Sequence, residues 1–281
     1  SRYFAILCTV NRISFKAGKL MEISVLVINL CRSIKRMAEI NRRLSTVELP
    51  YTRISAVNGS TLSQGQIDRH YSPTLNSKIY RRPLSLGEIG CYMSHKKCWQ
   101  HIVDHNLDMC LILEDDAELD ARLPDLFPLI ERYNQPWDII KLCDPPKQKK
   151  IVDSLSLNSD FKLCQYEKIP SRATGYLMSY GGAVKLLKAR DHFGRPLDDD
   201  LQFYWEYQGD VMGIEPSPIW NSESSLKSDI DAEDNRKNTK TRTASLKGPV
   251  LRLSYELNLL RHNLNRKGLA EKRKKVCQDV E

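Results

Sequence analysis

The sequence predicts an α/β fold built on a mostly parallel sheet, with a ligand site at the carboxyl ends of its strands. Three observations predict it. Residues 23–30 (ISVLVINL) form a nearly unbroken apolar run, the pattern of a strand buried on both faces. A helical segment and a second strand follow directly, which is the βαβ order. A third apolar run, residues 109–113, passes straight into Glu114, Asp115 and Asp116.

Composition agrees with one substantial core. The chain has 281 residues, of which 41% are hydrophobic and 28% charged, so global disorder is excluded. No run reaches the ~18 apolar residues of a membrane span. Residues 1–20 precede Met21, where the cleaner pattern begins, and are read as a leader or as an addition ahead of the native start. The eight cysteines show no CxxC spacing and sit mostly in apolar runs. They read as reduced thiols, which implies a cytoplasmic protein.

Within the body, residues 32–44 carry Ile34, Met37, Ile40 and Leu44 at helical spacing. Residues 51–57 read as a strand ended by the turn pair Asn58-Gly59. Residues 85–106 read as a helix that opens on a capping box, Ser85 with Glu88 three positions later. Residues 138–142 form another strand, closed by Asp144-Pro145-Pro146, and the polar stretch 147–160 reads as a surface loop. A strand at 175–180 leads into a helix at 181–190. The catalytic body is therefore placed at 21–221, followed by a polar linker at 222–245.

The C-terminal segment, 246–281, is a basic amphipathic helical tail. Its stripe of Leu246, Val250, Leu253, Leu257, Leu260 and Leu264 is spaced 4, 3, 4, 3, 4. Residues 236–275 carry a net charge of +11 in a chain whose total is +8, so the rest is slightly acidic. Two readings stand. The helix lies on an anionic inner membrane with its apolar face down, or it packs on the body with its basic face solvated. No nucleic-acid reading module is recognisable, and no nucleic-acid partner is expected.

The acidic strand end carries the chemistry. Adjacent carboxylates repel one another unless a cation sits among them, and a hard ion such as Mn²⁺ or Mg²⁺ suits carboxylate and phosphate oxygens. Glu114, Asp115 and Asp116 are together the candidate ligands. The competing reading is an acidic first turn of the next helix, favoured by the helix dipole. A second acidic group, Asp198-Asp199-Asp200, is a source of a general base, an acceptor contact or a metal ligand or, alternatively, of a helix N-cap. Trp205 and Tyr207 beyond it are a candidate stacking platform for a ligand or simply core.

Four segments together resemble glycosyltransferase family 25: VINLCRSIKRM (27–37), LSLGEIGCYMSHKKCW (84–99), LILEDDA (111–117) and ATGYLMSYGGAVKLL (173–187). The resemblance spans roughly 23–200 and implies a GT-A-type, Rossmann-like nucleotide-sugar fold with Mn²⁺ (or Mg²⁺) and a UDP-sugar donor. It implies donor contacts from Asn29, Leu30, Arg32, Arg36, Ser94, Glu114, Asp115, Thr174 and Gly175, a metal on Asp116 and Glu114, and catalytic roles for Asp198, Asp199 and His95. His95 and Ser94 are expected either to bond the donor sugar or to orient the acids. The implied activity is inverting transfer of a sugar, galactose in most of the family, to a lipopolysaccharide or lipooligosaccharide acceptor at a bacterial inner membrane. A glucosyl donor, a collagen-directed enzyme and a non-catalytic binder using the basic tail are the alternatives. The lack of a recognisable signal peptide weighs against the collagen type, and the intact acids weigh against the non-catalytic one.

Overall fold

The computed structural model describes residues 23–133, 135–143, 147–221 and 247–264. The linker 222–245, residues 1–20 and the tail beyond 264 lie outside the described residues. Among the described residues, ten strands form two sheets. The large one has eight strands in the order β2-β1-β3-β8-β5-β9-β7-β6. β1 (Ser24–Asn29) runs parallel to β2 (Thr52–Ser55) on one side and to β3 (Met109–Glu114) on the other. β8 (Gly175–Ser179) is antiparallel to both β3 and β5 (Ile139–Lys141). β9 (Val211–Glu215) is parallel to β5, and β7 (Lys162–Tyr166) and β6 (Ile151–Ser156) complete the far edge antiparallel. The sheet is thus mixed, with parallel pairing concentrated where the site lies.

The expected loop at 147–160 is corrected: six of its residues form the edge strand β6. Its side chains are exposed or half-buried, and an edge strand with little core contact needs no apolar pattern. A small second sheet pairs β4 (Ala117–Leu119) with β10 (Ile219–Asn221).

Successive side chains of a strand point to opposite faces, and both faces here are covered. Val25, Val27, Leu111 and Leu113 pack with Ile40 and Leu44 of α1 (Ile34–Thr46) and with Leu126, Phe127 and Ile130 of α5 (Leu123–Tyr133). Leu26, Ile28, Ile112 and Tyr176 pack the other way, against Tyr92, Trp99 and Ile102 of α4 (Leu86–Asp104). Trp99 and Tyr92 are wholly buried, each contributing roughly 1.5–3 kcal/mol or more of transfer free energy. The capping box is formed as the sequence predicts: the Ser85 hydroxyl accepts from the Glu88 backbone N–H, and the Glu88 carboxylate accepts from the Ser85 N–H. Two short helices, α2 (Gln64–Asp68) and α3 (Pro73–Ile79), lead into α4, and α6 (Tyr180–Ala189) packs alongside it.

Past the one-turn α7 (Leu197–Asp200), the chain reaches the C-terminal helix α8 (Lys247–Leu264). α8 touches the body through Tyr255 and Leu259, 8% and 5% exposed. The predicted stripe points the other way. Val250, Leu253, Leu257, Leu260 and Leu264 are all between 59% and 78% exposed. At 100° per residue the two faces are nearly opposite. The helix packs on the body through the face opposite its apolar stripe.

Candidate active site

A cavity of about 160 Å³ opens at the carboxyl ends of β1, β2 and β3. It is lined by Leu30, Arg32 and Arg36 after β1, by residues 56–59 after β2, by Cys91, Ser94 and His95 of α4, and by Glu114, Asp115 and Asp116 after β3. A crevice outside the carboxyl ends of parallel strands is where such sheets bind ligands. The reading of the acids as a helix's first turn does not apply, since the strand β4 follows them.

Each acid has a defined setting. Asp115 is 6% exposed, accepts a 2.6 Å hydrogen bond from Asn29 Nδ2 and lies 2.5 Å from Arg36. Burial raises its carboxyl to about 6, partly offset by Arg36 and Asn29. Burial, with Asp116 beside it, pushes Glu114 up to about 7. Asp116 Oδ2 accepts from Asn221 at 3.3 Å and lies 3.4 Å from Arg36. Its Oδ1 is buried and has no hydrogen-bond partner. An orphaned carboxylate oxygen among three clustered acids is what a hard divalent cation would satisfy, so the residues fit the ion that the sequence implies.

His95 lies between Tyr176 and Glu114. It is fully buried, and burial lowers it to about 3, so the ring is neutral. Trp99 Nε1 donates to the Tyr176 hydroxyl at 3.1 Å, and that hydroxyl lies 2.8 Å from His95 Nδ1. With Tyr176 donating to Nδ1, the ring proton sits on Nε2 and points at Glu114 Oε1, 3.3 Å away. Ser94 acts on the backbone instead: its hydroxyl accepts from Val57 N–H at 2.8 Å and donates to Gly90 O at 2.7 Å. The neighbouring contact is close because Gly59 and Gly90 lack side chains. A Cβ on Gly59 would fall 1.7 Å from Leu86 O.

Thr174 lies behind the acids. Its carbonyl accepts from Glu114 N–H at 2.9 Å and its hydroxyl donates to Asn221 Oδ1 at 3.1 Å. Gly175 makes room for the Ile219 side chain, a packing role.

The three consecutive aspartates of α7 separate in space. Asp198 is half-buried, and its carboxylate has no hydrogen-bond partner among the described residues. Burial, then the charge of Glu114, raises it to about 6, against the pull of Lys141. It is near enough to Glu114 and Lys141 for their charges to shift it, but it is not among the residues that line the cavity. Asp199 accepts from the Tyr80 hydroxyl at 2.8 Å and lines a different groove, beneath α8. Asp200 is 3% exposed and binds Tyr92, Arg190 and Arg195. Tyr207 is core, 4% exposed, and Trp205 stacks on His262 of α8, so the expected stacking platform is not formed.

Sequence reading missed Lys141, Tyr176, Cys91 and Asn221. Lys141 is 2% exposed at the end of β5; burial depresses its ammonium, which donates to Arg172 O. Nothing in a lysine at a strand end marks it as interior. Cys91, one helical turn before His95, was detectable from spacing alone.

A family model described as glycosyltransferase family 25 (LPS biosynthesis protein) matches residues 22–201. The chain belongs to glycosyltransferase family 25. The family segment holds the cavity and all three aspartates of α7, and leaves Asn221 and α8 outside. The chain is 28% identical to procollagen galactosyltransferase 1 of Danio rerio over 261 residues, 76% of this chain and 42% of that one. It is 27% identical to a Bos taurus chain named "Probable inactive glycosyltransferase 25 family member 3" over 191 residues, 64% of this chain and 31% of that one. It spans less than half the length of the curated relatives it matches. A solved structure titled S. aureus TarS 1-349 is 12% identical, covers 75% of this chain and 63% of its own, and gives a TM-score of 0.41, too low to carry an argument.

Proposed function

We propose that this chain is an active, metal-dependent glycosyltransferase of GT-A type that moves a hexose, galactose first, from a UDP-sugar to an acceptor hydroxyl with inversion. The observation that carries the reading is the cavity at the strand ends, where Asp116 keeps an orphaned buried oxygen beside Glu114, Asp115 and two arginines. Asp116 and Glu114 would hold Mn²⁺ or Mg²⁺, with Asp115 fixed by Asn29 and Arg36. When bound, the ion supplies positive charge against the diphosphate leaving group. Arg32 and Arg36 border the same cavity and offer guanidinium donors to phosphate oxygens. His95 orients Glu114 through its Nε2 proton. Asp198 is the candidate base: a carboxylate held near 6, with no hydrogen bond to satisfy it, is both ionised and proton-accepting at neutral pH.

For the acceptor, the outward apolar stripe of α8 and the basic sequence after it favour a glycolipid at an anionic membrane surface. Among the described residues no helix is long and apolar enough to cross a membrane. A second reading, a procollagen-type protein acceptor, is favoured by the names of the galactosyltransferase relatives. The test is a panel of UDP-sugars assayed for UDP release with Mn²⁺ or EDTA, against lipooligosaccharide and procollagen-peptide acceptors. Metal-dependent release from one donor, lost in Asp116→Asn, is expected. Equal turnover in EDTA, or in Asp116→Asn, would refute the metal assignment.

A further inference from the structure

Cys91 and His95 lie one turn apart on α4 and face the end of β3 from the cavity wall. Their ligand atoms and a carboxylate oxygen of Glu114 all fall within 4.8 Å of one another. Cys91 Sγ is 3.8 Å and His95 Nε2 3.3 Å from the same Glu114 oxygen. Both separations can be compared with the edges of a tetrahedral site, the remaining sulfur–nitrogen distance being within 4.8 Å. With Zn–S ~2.3 Å and Zn–N and Zn–O ~2.0–2.1 Å, tetrahedral angles give a sulfur–oxygen edge of ~3.6 Å and a nitrogen–oxygen edge of ~3.3 Å. Three protein ligands with the fourth direction open to a cavity is the arrangement of reactive rather than purely structural zinc sites.

We infer that Cys91, His95 and Glu114 form a second cation site, selective for a borderline transition metal such as Zn²⁺ and distinct in chemistry from the all-oxygen site at Asp116. Thiolate and imidazole disfavour Mg²⁺ and Mn²⁺, whereas they bind Zn²⁺ and Co²⁺ well. The support behind the ligands is already built. Tyr176, fixed by Trp99, sits 2.8 Å from His95 Nδ1 and accepts the ring proton once Nε2 turns its lone pair to the ion. The Cys91 thiol gives its proton to solvent on binding, so occupancy rises with pH. Glu114 belongs to both sets, so an ion held by Cys91 and His95 competes with the oxygen site for that carboxylate.

Cobalt provides a direct readout that needs no sugar donor, so its failure is separable from that of the transferase reading. The whole chain, freed of metal and titrated with Co²⁺, is expected to bind one equivalent with a thiolate-to-cobalt charge-transfer band, bleached by equimolar Zn²⁺. Cys91→Ser removes the band and weakens Co²⁺ binding by roughly tenfold or more, since loss of a ligand costs no less than loss of an outer partner. Cys31→Ser, which changes an exposed thiol, and Asp116→Asn, which changes the oxygen site, keep the band. No band in the wild type, or a full band in folded Cys91→Ser, overturns the site.

Discussion

Two neighbours of one helical turn, Asp198 and Asp200, are expected to respond in opposite ways to the same change. Asp200 accepts from the Tyr92 hydroxyl at 2.5 Å, Arg190 Nε at 2.7 Å and Arg195 at 2.9 Å, with Arg190 and Arg195 also sharing Glu206. The guanidinium side chains are 9% and 5% exposed. Asp200→Asn keeps the shape, removes the charge and turns amide protons toward two buried cations. Breaking a buried pair by removing one partner costs about 3–5 kcal/mol. In a body of this size each kcal/mol lowers the melting temperature by about 2–4 °C, so a drop of roughly 10 °C is expected. Asp198→Asn removes a carboxylate that has no hydrogen bond and that burial already disfavours when ionised. Its melting temperature should be unchanged or higher, while turnover falls on the order of 10²–10⁴-fold. Thermal denaturation followed by tryptophan fluorescence, beside UDP release, reads both. An Asp200→Asn protein that melts within about 2 °C of the wild type, or an Asp198→Asn protein that turns over normally, would refute the division of roles.

The remaining predictions concern the acids, the glycine contact and α8. Glu114, Asp115 and Asp198 titrate above their ordinary range, so these three carboxyls bind more protons in the folded metal-free chain than in the unfolded one between pH 4 and about 7. Stability from this cluster therefore falls as pH rises through that window. Glu88 and Asp120 shift the other way, so the difference between urea curves in EDTA and in Mn²⁺ isolates the cluster; a difference independent of pH contradicts the assignment. Gly59→Ala places a Cβ 1.7 Å from the Leu86 carbonyl oxygen, which is backbone. It should destabilise by about 1–3 kcal/mol or more and weaken UDP binding; wild-type melting and affinity would show the contact to be soft. Leu253→Asp with Leu257→Asp changes only exposed positions, so stability should stay within about 0.5 kcal/mol. Sedimentation with anionic vesicles should weaken roughly tenfold or more, given ~1.5–3 kcal/mol for each leucine buried; unchanged sedimentation sinks the membrane role.

What the sequence disclosed and what it hid follow from the range of the interactions. β1, β3 and the capped start of α4 were legible because apolar runs and a Ser85–Glu88 box are local patterns. The acids after β3 were legible for the same reason: three carboxylates adjacent in the chain must share one place in space. β6 was hidden because its side chains face solvent and carry no core pattern. Lys141 was hidden because only pairing with β8 sets it opposite Tyr176, beside the acids. The aspartates of α7 show the limit most sharply. Three identical side chains in a row carry no local mark of direction, so one lies near Glu114 and Lys141, one bonds Tyr80 and one anchors two arginines. The α8 stripe carries the converse lesson. Its periodicity was read correctly, yet a hydrophobic face in sequence does not say which surface covers it, and the body chose Tyr255 and Leu259 on the opposite side. The membrane contact proposed above rests on that outward stripe together with the basic sequence after it.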